Sequence, residues 1–256
     1  MYEYIKQIPL DTSKRHFVVG DIHGHFNAFL RLLDSVNYDP LNDVIYSVGD
    51  IIDRGDKSYE TVQFFSEPDT HCIMGNHEYM VTDDKWTDCW LRNGGVNTLY
   101  SLDDNDSNVE WLKEWCMKLP FVLDVGEFHE EDAFRLVHAE LPLEWDEQRL
   151  WLQLEYAAEN GGDSGVENLI WSRTAIGEAL FNTEGMRPAD WEVPIAEGRS
   201  GRNVFCGHTP TKHVVRLHDL TFLDTKKSET LTMVNAITKA AHTVKLDYKD
   251  FKNKNC

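Results

Sequence analysis

Three times in the first third of the chain an apolar run stops at a glycine followed by a side chain that can ligate a metal. These are Gly20-Asp21-Ile22-His23-Gly24, Gly49-Asp50-Ile51-Ile52-Asp53-Arg54-Gly55 and Gly75-Asn76-His77-Glu78. The runs before them, His16 to Gly20, Asp43 to Val48 and Cys72 to Met74, read as short apolar strands. Between them, Phe26, Phe29, Leu30, Leu33 and Val36 recur at helical steps, and a second helix is expected from about Ser58 to Phe65. This β-α-β-α-β rhythm predicts parallel strands with helices packed on the sheet. Such sheets bind ligands at the carboxyl ends of their strands, where all three polar clusters fall.

Helical segments are expected to dominate from about Glu78 to Lys118. Strands return at Phe121–Val125, Phe134–His138, Val204–Gly207, Val214–Leu217, Thr221–Leu223 and Leu231–Asn235. Two of these end in histidine, His138 and His208. Any one such histidine alone would pass for a packing residue. Five strand-end sites in a row, four of them directly after glycine, are hard to explain as packing. Carboxylate, imidazole and amide oxygen form a hard-to-borderline ligand set suited to Mn, Fe or Zn, and an aspartate can bridge two ions.

The stretch from Leu150 to Arg202 reads as helix plus long loops, and the tail from about residue 245 as frayed, within one domain spanning 1–256. The acidic run Asp103-Asp104-Asn105-Asp106 lacks the glycine that a calcium loop needs at its sixth position, where Asn108 stands, so it reads as a solvated loop capping the next helix.

The net charge of −19 repels nucleic acid, which would need a basic patch, so no nucleic-acid partner is expected. An acidic protein that binds phosphate must create its own local positive field, and metal ions do this. No run approaches the roughly 18 apolar residues of a membrane span, and the first residues lack an apolar signal core. A cytoplasmic protein with no membrane partner is expected. The five cysteines show no Cys-x-x-Cys pair and are taken as reduced, mostly packing residues, with Cys206 in a buried strand.

The three motifs in this order resemble the calcineurin-like metallophosphoesterase superfamily, and within it the phosphoprotein phosphatase branch of phage lambda-type and bacterial serine/threonine protein phosphatases. Asn93-Gly94-Gly95, Leu119-Pro120, His138-Ala139, Trp171-Ser172-Arg173 and Gly207-His208-Thr209-Pro210 extend the likeness over most of the chain. The resemblance implies a two-sheet α/β/β/α sandwich with a dimetal site at the strand ends. It implies two divalent ions, manganese foremost: Asp21, His23 and Asp50 hold one with His208 completing its shell, while Asp50, Asn76 and His138 hold the other. It further implies a metal-bridging hydroxide as nucleophile and Arg54 and Arg173 on the phosphate oxygens. His77 is the implied proton donor to the leaving group, oriented by Asp53. The expected substrates are phosphoproteins or small phosphate esters, with phosphoserine and phosphothreonine first and phosphotyrosine also within reach.

Dinucleoside tetraphosphate hydrolases and some cyclic-nucleotide phosphodiesterases share the metal site; the Asp53-Arg54 pair argues for the phosphatase. An inactive scaffold is disfavoured, because all six ligand positions and His77 are present. His25 is expected in a loop or first helical turn, and His16, His71, His129, His213, His218 and His242 on the surface or in packing. Two departures from the family pattern stand out. Leu223-Asp224-Thr225 runs into Lys226-Lys227-Ser228 without the usual glycine, and Glu140 stands where aspartate or glycine is commoner. Glu140 is expected to have little effect on metal binding.

Overall fold

The computed structural model describes residues 2–160, 163–177 and 202–246. Two mixed sheets pack face to face with helices outside, the expected sandwich. One sheet has the order β11-β10-β2-β3-β4. Its strands β2 (Arg15–Val19), β3 (Asp43–Ser47) and the edge strand β4 (Thr70–Cys72) are parallel, and β10 (Thr230–Asn235) and β11 (Ala241–Lys245) close the other side antiparallel. The other sheet is β1-β5-β6-β7-β9-β8, built from β1 (Ile5–Ile8), β5 (Val122–Val125), β6 (Phe134–Val137), β7 (Asn203–Cys206), β8 (Val215–Leu217) and β9 (Leu220–Phe222).

The continuous apolar strands are explained by burial on both faces. Val18, Val44, Tyr46, Leu123, Phe134, Leu136 and Phe205 meet between the sheets. Their neighbours Val19, Ile45, Val137, Val204 and Cys206 face the outer helical layers. Helix α1 (Phe26–Ser35) covers the first sheet with Ala28, Phe29, Leu32 and Leu33. Helix α2 (Ser58–Phe64) buries Thr61 and Val62 beside it. On the second sheet Arg135, almost fully buried, forms a bidentate pair with Asp124 on β5 (2.6 and 2.8 Å) and reaches Glu147 at the start of α7 (Glu147–Asn160) at 2.9 Å. A buried guanidinium is tolerable only when its donors are met this fully.

Strands β1 and β11 were not expected from sequence. Both are edge strands with half-exposed patterns, so neither carries an apolar run. The helical region resolves into α3 (Asn76–Thr82), α4 (Thr87–Trp90), a π turn at Leu91–Gly95, α5 (Val96–Ser101) and α6 (Asp106–Cys116). The acidic run serves as a cap: Asn105 Oδ1 accepts the Ser107 N–H at 2.9 Å. Cys72, Cys89, Cys116 and Cys206 carry free thiols, and Cys206 is buried in β7 as expected. Among the described residues no helix is long and apolar enough to cross a membrane. The expected long loops at 178–201 and the tail beyond 246 lie outside the described residues.

Candidate active site

The loops after β2, β3, β4, β6 and β7 converge at the carboxyl ends of both sheets. They carry Asp21, His23, Asp50, Asn76, His138 and His208, all buried. His23, Asp50, Asp53, Arg54 and His208 all have positive φ, between 48 and 73°. Side-chained residues adopt this region rarely, and its concentration here marks loops whose backbone is bent to aim side chains inward. Gly207 shows why glycine precedes a ligand: a Cβ there would collide with Asp21 Oδ1 and lie 2.7 Å from Val48. The strand ends meet that closely.

The side chains form two adjoining pockets that share Asp50. Ligand atoms of Asp50, His138 and His208 lie within 4.8 Å of one another, and so do those of His23, Asp50 and His77. Asn76 Oδ1 lies 2.9 Å from both His138 Nε2 and His208 Nδ1, which places it in the first of these pockets. His138 Nδ1 faces the Val48 carbonyl at 2.7 Å and His23 Nδ1 the Ile52 carbonyl at 2.9 Å. Each Nδ1 is engaged by a carbonyl away from the site and Nε2 is the ring atom that faces it, the orientation of a metal-binding histidine once Nε2 is deprotonated. The residues therefore offer donor groups that could hold divalent ions, with Asp50 common to both.

One sequence expectation changes. His208 touches Asp21 only through its backbone N–H, at 3.0 Å, while its ring lies with Asn76 and His138. Strand β7 is hydrogen-bonded beside β6, which brings the two histidine rings to 5.2 Å centroid to centroid. His208 thus belongs with the Asp50, Asn76 and His138 group rather than with Asp21 and His23.

The electrostatics follow from burial and charge. Burial and the Asp50 carboxylate push Asp21 up. Burial opposes charge on His138, but Asp50 and Asp21 outweigh it and raise the ring to about 9. Burial and the nearby His138 take His208 down to about 3. Burial also opposes charge on His77, yet Asp50 and Asp53 hold it above the ordinary histidine value.

Asp53 is held from three sides. Its N–H donates to Ser58 Oγ and Thr98 Oγ1, each at 3.0 Å, and its Oδ1 accepts from Thr98 Oγ1 (2.6 Å) and Trp90 Nε1 (3.0 Å). Its Oδ2 lies 2.5 Å from His77 Nδ1. Arg54 is exposed, with Nη1 2.8 Å from His23 Nε2 and Nη2 3.0 Å from His77 Nε2. The Arg54 N–H donates to the Gly94 carbonyl, and Gly94, at φ 112°, leaves room for the Arg54 side chain where a Cβ would lie 2.8 Å from its Cγ. That is the structural use of the Asn93-Gly94-Gly95 motif; Asn93 itself donates to the Cys89 carbonyl. Arg173 is exposed and close enough to His208 for its charge to oppose protonation there.

Sequence reasoning left out Glu78, Trp90 and Thr98. Glu78 is fully buried at the start of α3, and its carboxylate collects the N–H groups of Asp50, Ile51, Ile52 and Gly75, at 2.7 to 3.3 Å. It thereby fixes the loop that carries Asp50. Its place directly after Asn76-His77 was the one signal available. The atypical loop after β9 holds Asp224 buried beside Asp21, and burial and that neighbour push it well above the usual carboxylate range. His25 precedes α1 and is buried.

A metal-dependent phosphoester hydrolase is the class that this fold and donor set define. The model of the calcineurin-like phosphoesterase family matches residues 15–212, and the chain belongs to that family. It is similar to serine/threonine-protein phosphatase 1 of Salmonella typhimurium, 30% identical over 185 residues, covering 68% of this chain and 85% of that protein. It is also similar to the symmetrical bis(5'-nucleosyl)-tetraphosphatase of Actinobacillus succinogenes, 31% identical over 139 residues. That match covers 51% of this chain and spans only 46% of the tetraphosphatase. A solved protein serine/threonine phosphatase from Saccharomyces cerevisiae shares the fold, with a TM-score of 0.61, covering 95% of this chain and 84% of that one, at 13% identity.

Proposed function

We propose that the chain is a protein phosphatase that hydrolyses phosphoserine and phosphothreonine monoesters. The observation that carries this is the buried His77–Asp53 pair with Arg54 at its edge. A serine or threonine alkoxide is a poor leaving group and needs a proton in the transition state, whereas a nucleotide phosphate leaves readily without one. The greater length shared with the Salmonella phosphatase supports the same choice.

Asp21, His23 and Asp50 would hold one divalent ion, and Asp50, Asn76, His138 and His208 the other, with manganese, iron or zinc suited to the donors. Such ions supply charge to the phosphoryl oxygens and a water of lowered pKa at neutral pH. The chain's own groups do the rest. Arg54, and Arg173 from the facing segment, grip the outer phosphate oxygens with bidentate guanidinium forks. Asp53 engages Nδ1 of His77 and favours the charged ring, and Nε2 would hold the proton for the leaving oxygen once Arg54, whose Nη2 stands 3.0 Å from it, turns to the phosphate. Trp90 and Thr98 occupy the other oxygen of Asp53 and prevent its rotation.

The test compares kcat/KM for a phosphoserine peptide and for diadenosine tetraphosphate on protein stripped of metal and reloaded with Mn²⁺. A clear preference for the peptide is expected. A preference for the dinucleotide would keep the metal chemistry and overturn the protein substrate.

A further inference from the structure

Glu140 lies two residues past His138 and is fully buried, yet its hydrogen bonds run to the segment 172–176. Ser172 Oγ donates to Glu140 Oε1 at 2.5 Å and the Thr174 N–H to the same oxygen at 2.8 Å. The Ala175 N–H reaches both oxygens, at 3.1 and 3.0 Å, and the Ile176 N–H reaches Oε2 at 3.3 Å. Arg173 stands between two residues gripped by this one carboxylate. Its carbonyl is also fixed, by the Gly177 N–H at 2.9 Å. The same short stretch is tied to the metal pocket. The Ala139 N–H donates to the Leu169 carbonyl at 2.7 Å, and the Trp171 ring stands edge-on to His208 with centroids 6.1 Å apart.

We propose that Glu140 is a positioning residue for the substrate phosphate: it holds the Ser172 hydroxyl before Arg173 and the backbone N–H groups after it, and so aims an otherwise exposed guanidinium at the metal pocket. The proposal rests on the phosphate-binding role given to Arg173 above. A long exposed arginine at a break between helices would lose side-chain and backbone entropy on every binding event, and a charge-assisted clamp on the helical turn after it removes most of that cost beforehand. Glutamate rather than aspartate is required here, because the shorter side chain could not span all four donors from the same Cα.

The test is a double-mutant cycle on the metal-loaded protein, read as the inhibition constant of inorganic phosphate and kcat/KM for p-nitrophenyl phosphate, with bound metal counted in each variant. Glu140→Gln is expected to weaken phosphate binding about tenfold, the scale of one misplaced charge-assisted hydrogen bond, with both metals kept. Glu140→Asp is expected to fall between. In an Arg173→Ala background, Glu140→Gln should cost less than about twofold, since the group it positions is gone. A tenfold loss that persists in that background would overturn the proposal, and so would full phosphate affinity in Glu140→Gln while Arg173→Ala is weakened. Unchanged affinity in Arg173→Ala alone would instead overturn the role of Arg173, and the proposal with it. Should Glu140→Gln fail to fold, Ser172→Ala removes only the 2.5 Å bond and should give a smaller loss that again vanishes without Arg173.

Discussion

His77 Nδ1 and Asp53 Oδ2 lie 2.5 Å apart with both side chains buried, and the second oxygen of Asp53 is occupied by Thr98 and Trp90. An amide in place of this carboxylate cannot accept from all of these donors at once. Asp53→Asn is therefore expected to lower kcat on a phosphoserine peptide by about 10²–10⁴-fold, the usual worth of a positioned proton donor. The Asp53→Asn/His77→Asn pair should be little worse than His77→Asn alone in steady-state assays, because the two residues act as one unit. Additive losses would show that Asp53 acts independently of His77.

Gly207→Ala should damage the metal pocket from a position that ligates nothing. The added methyl meets Asp21 Oδ1 and Val48. Overpacking of this kind costs about 1–3 kcal/mol, which denaturant titration would read. Elemental analysis should show fewer bound ions than in the parent protein. Full metal content in the variant would mean that the strand ends can separate without disturbing Asp21.

Metal loading should depend on pH through His138. In the metal-free protein Asp50 and Asp21 overcome burial and hold this ring protonated up to about 9. An ion needs the neutral ring, so below that value it must displace a proton. Apparent affinity should therefore rise between pH 7 and 9 by about tenfold per unit for one proton, then level off. Calorimetry at pH 7.5 in two buffers of different ionisation enthalpy would detect the released proton. The sign for stability is opposite. A raised histidine stabilises the metal-free fold in full below its unfolded value of about 6.5, and that contribution is lost as pH rises through about 9. Affinity that is flat over this range would contradict the charge assigned to His138.

The sequence carried the fold's centre plainly because β2, β3, β6 and β7 are covered on both faces, and each is then followed by a polar residue able to ligate. Two of its four edges, β4 and β8, could still be read, but Ile5–Ile8 and Ala241–Lys245 keep solvent-facing residues, so no apolar run announced them. The residues that meet at the strand ends were legible, but which of them stand together was not, because that depends on β7 lying next to β6 rather than on spacing along the chain. Trp90 and Thr98 reach Asp53 across 37 and 45 positions, and nothing local marks them. Glu140 looked like a harmless departure; its partners lie 32 to 36 positions on, at a break between helices and the first turn of the helix that follows it.

The most direct test of the central claim is the leaving-group dependence of His77→Asn. Its metal content should match the parent protein. Its kcat/KM should fall by about 10²–10⁴-fold on a phosphoserine peptide, and far less on p-nitrophenyl phosphate, whose leaving group needs little protonation. Equal losses on the two substrates, or loss of a bound metal, would contradict the account and place His77 among the ligands instead of at the leaving oxygen.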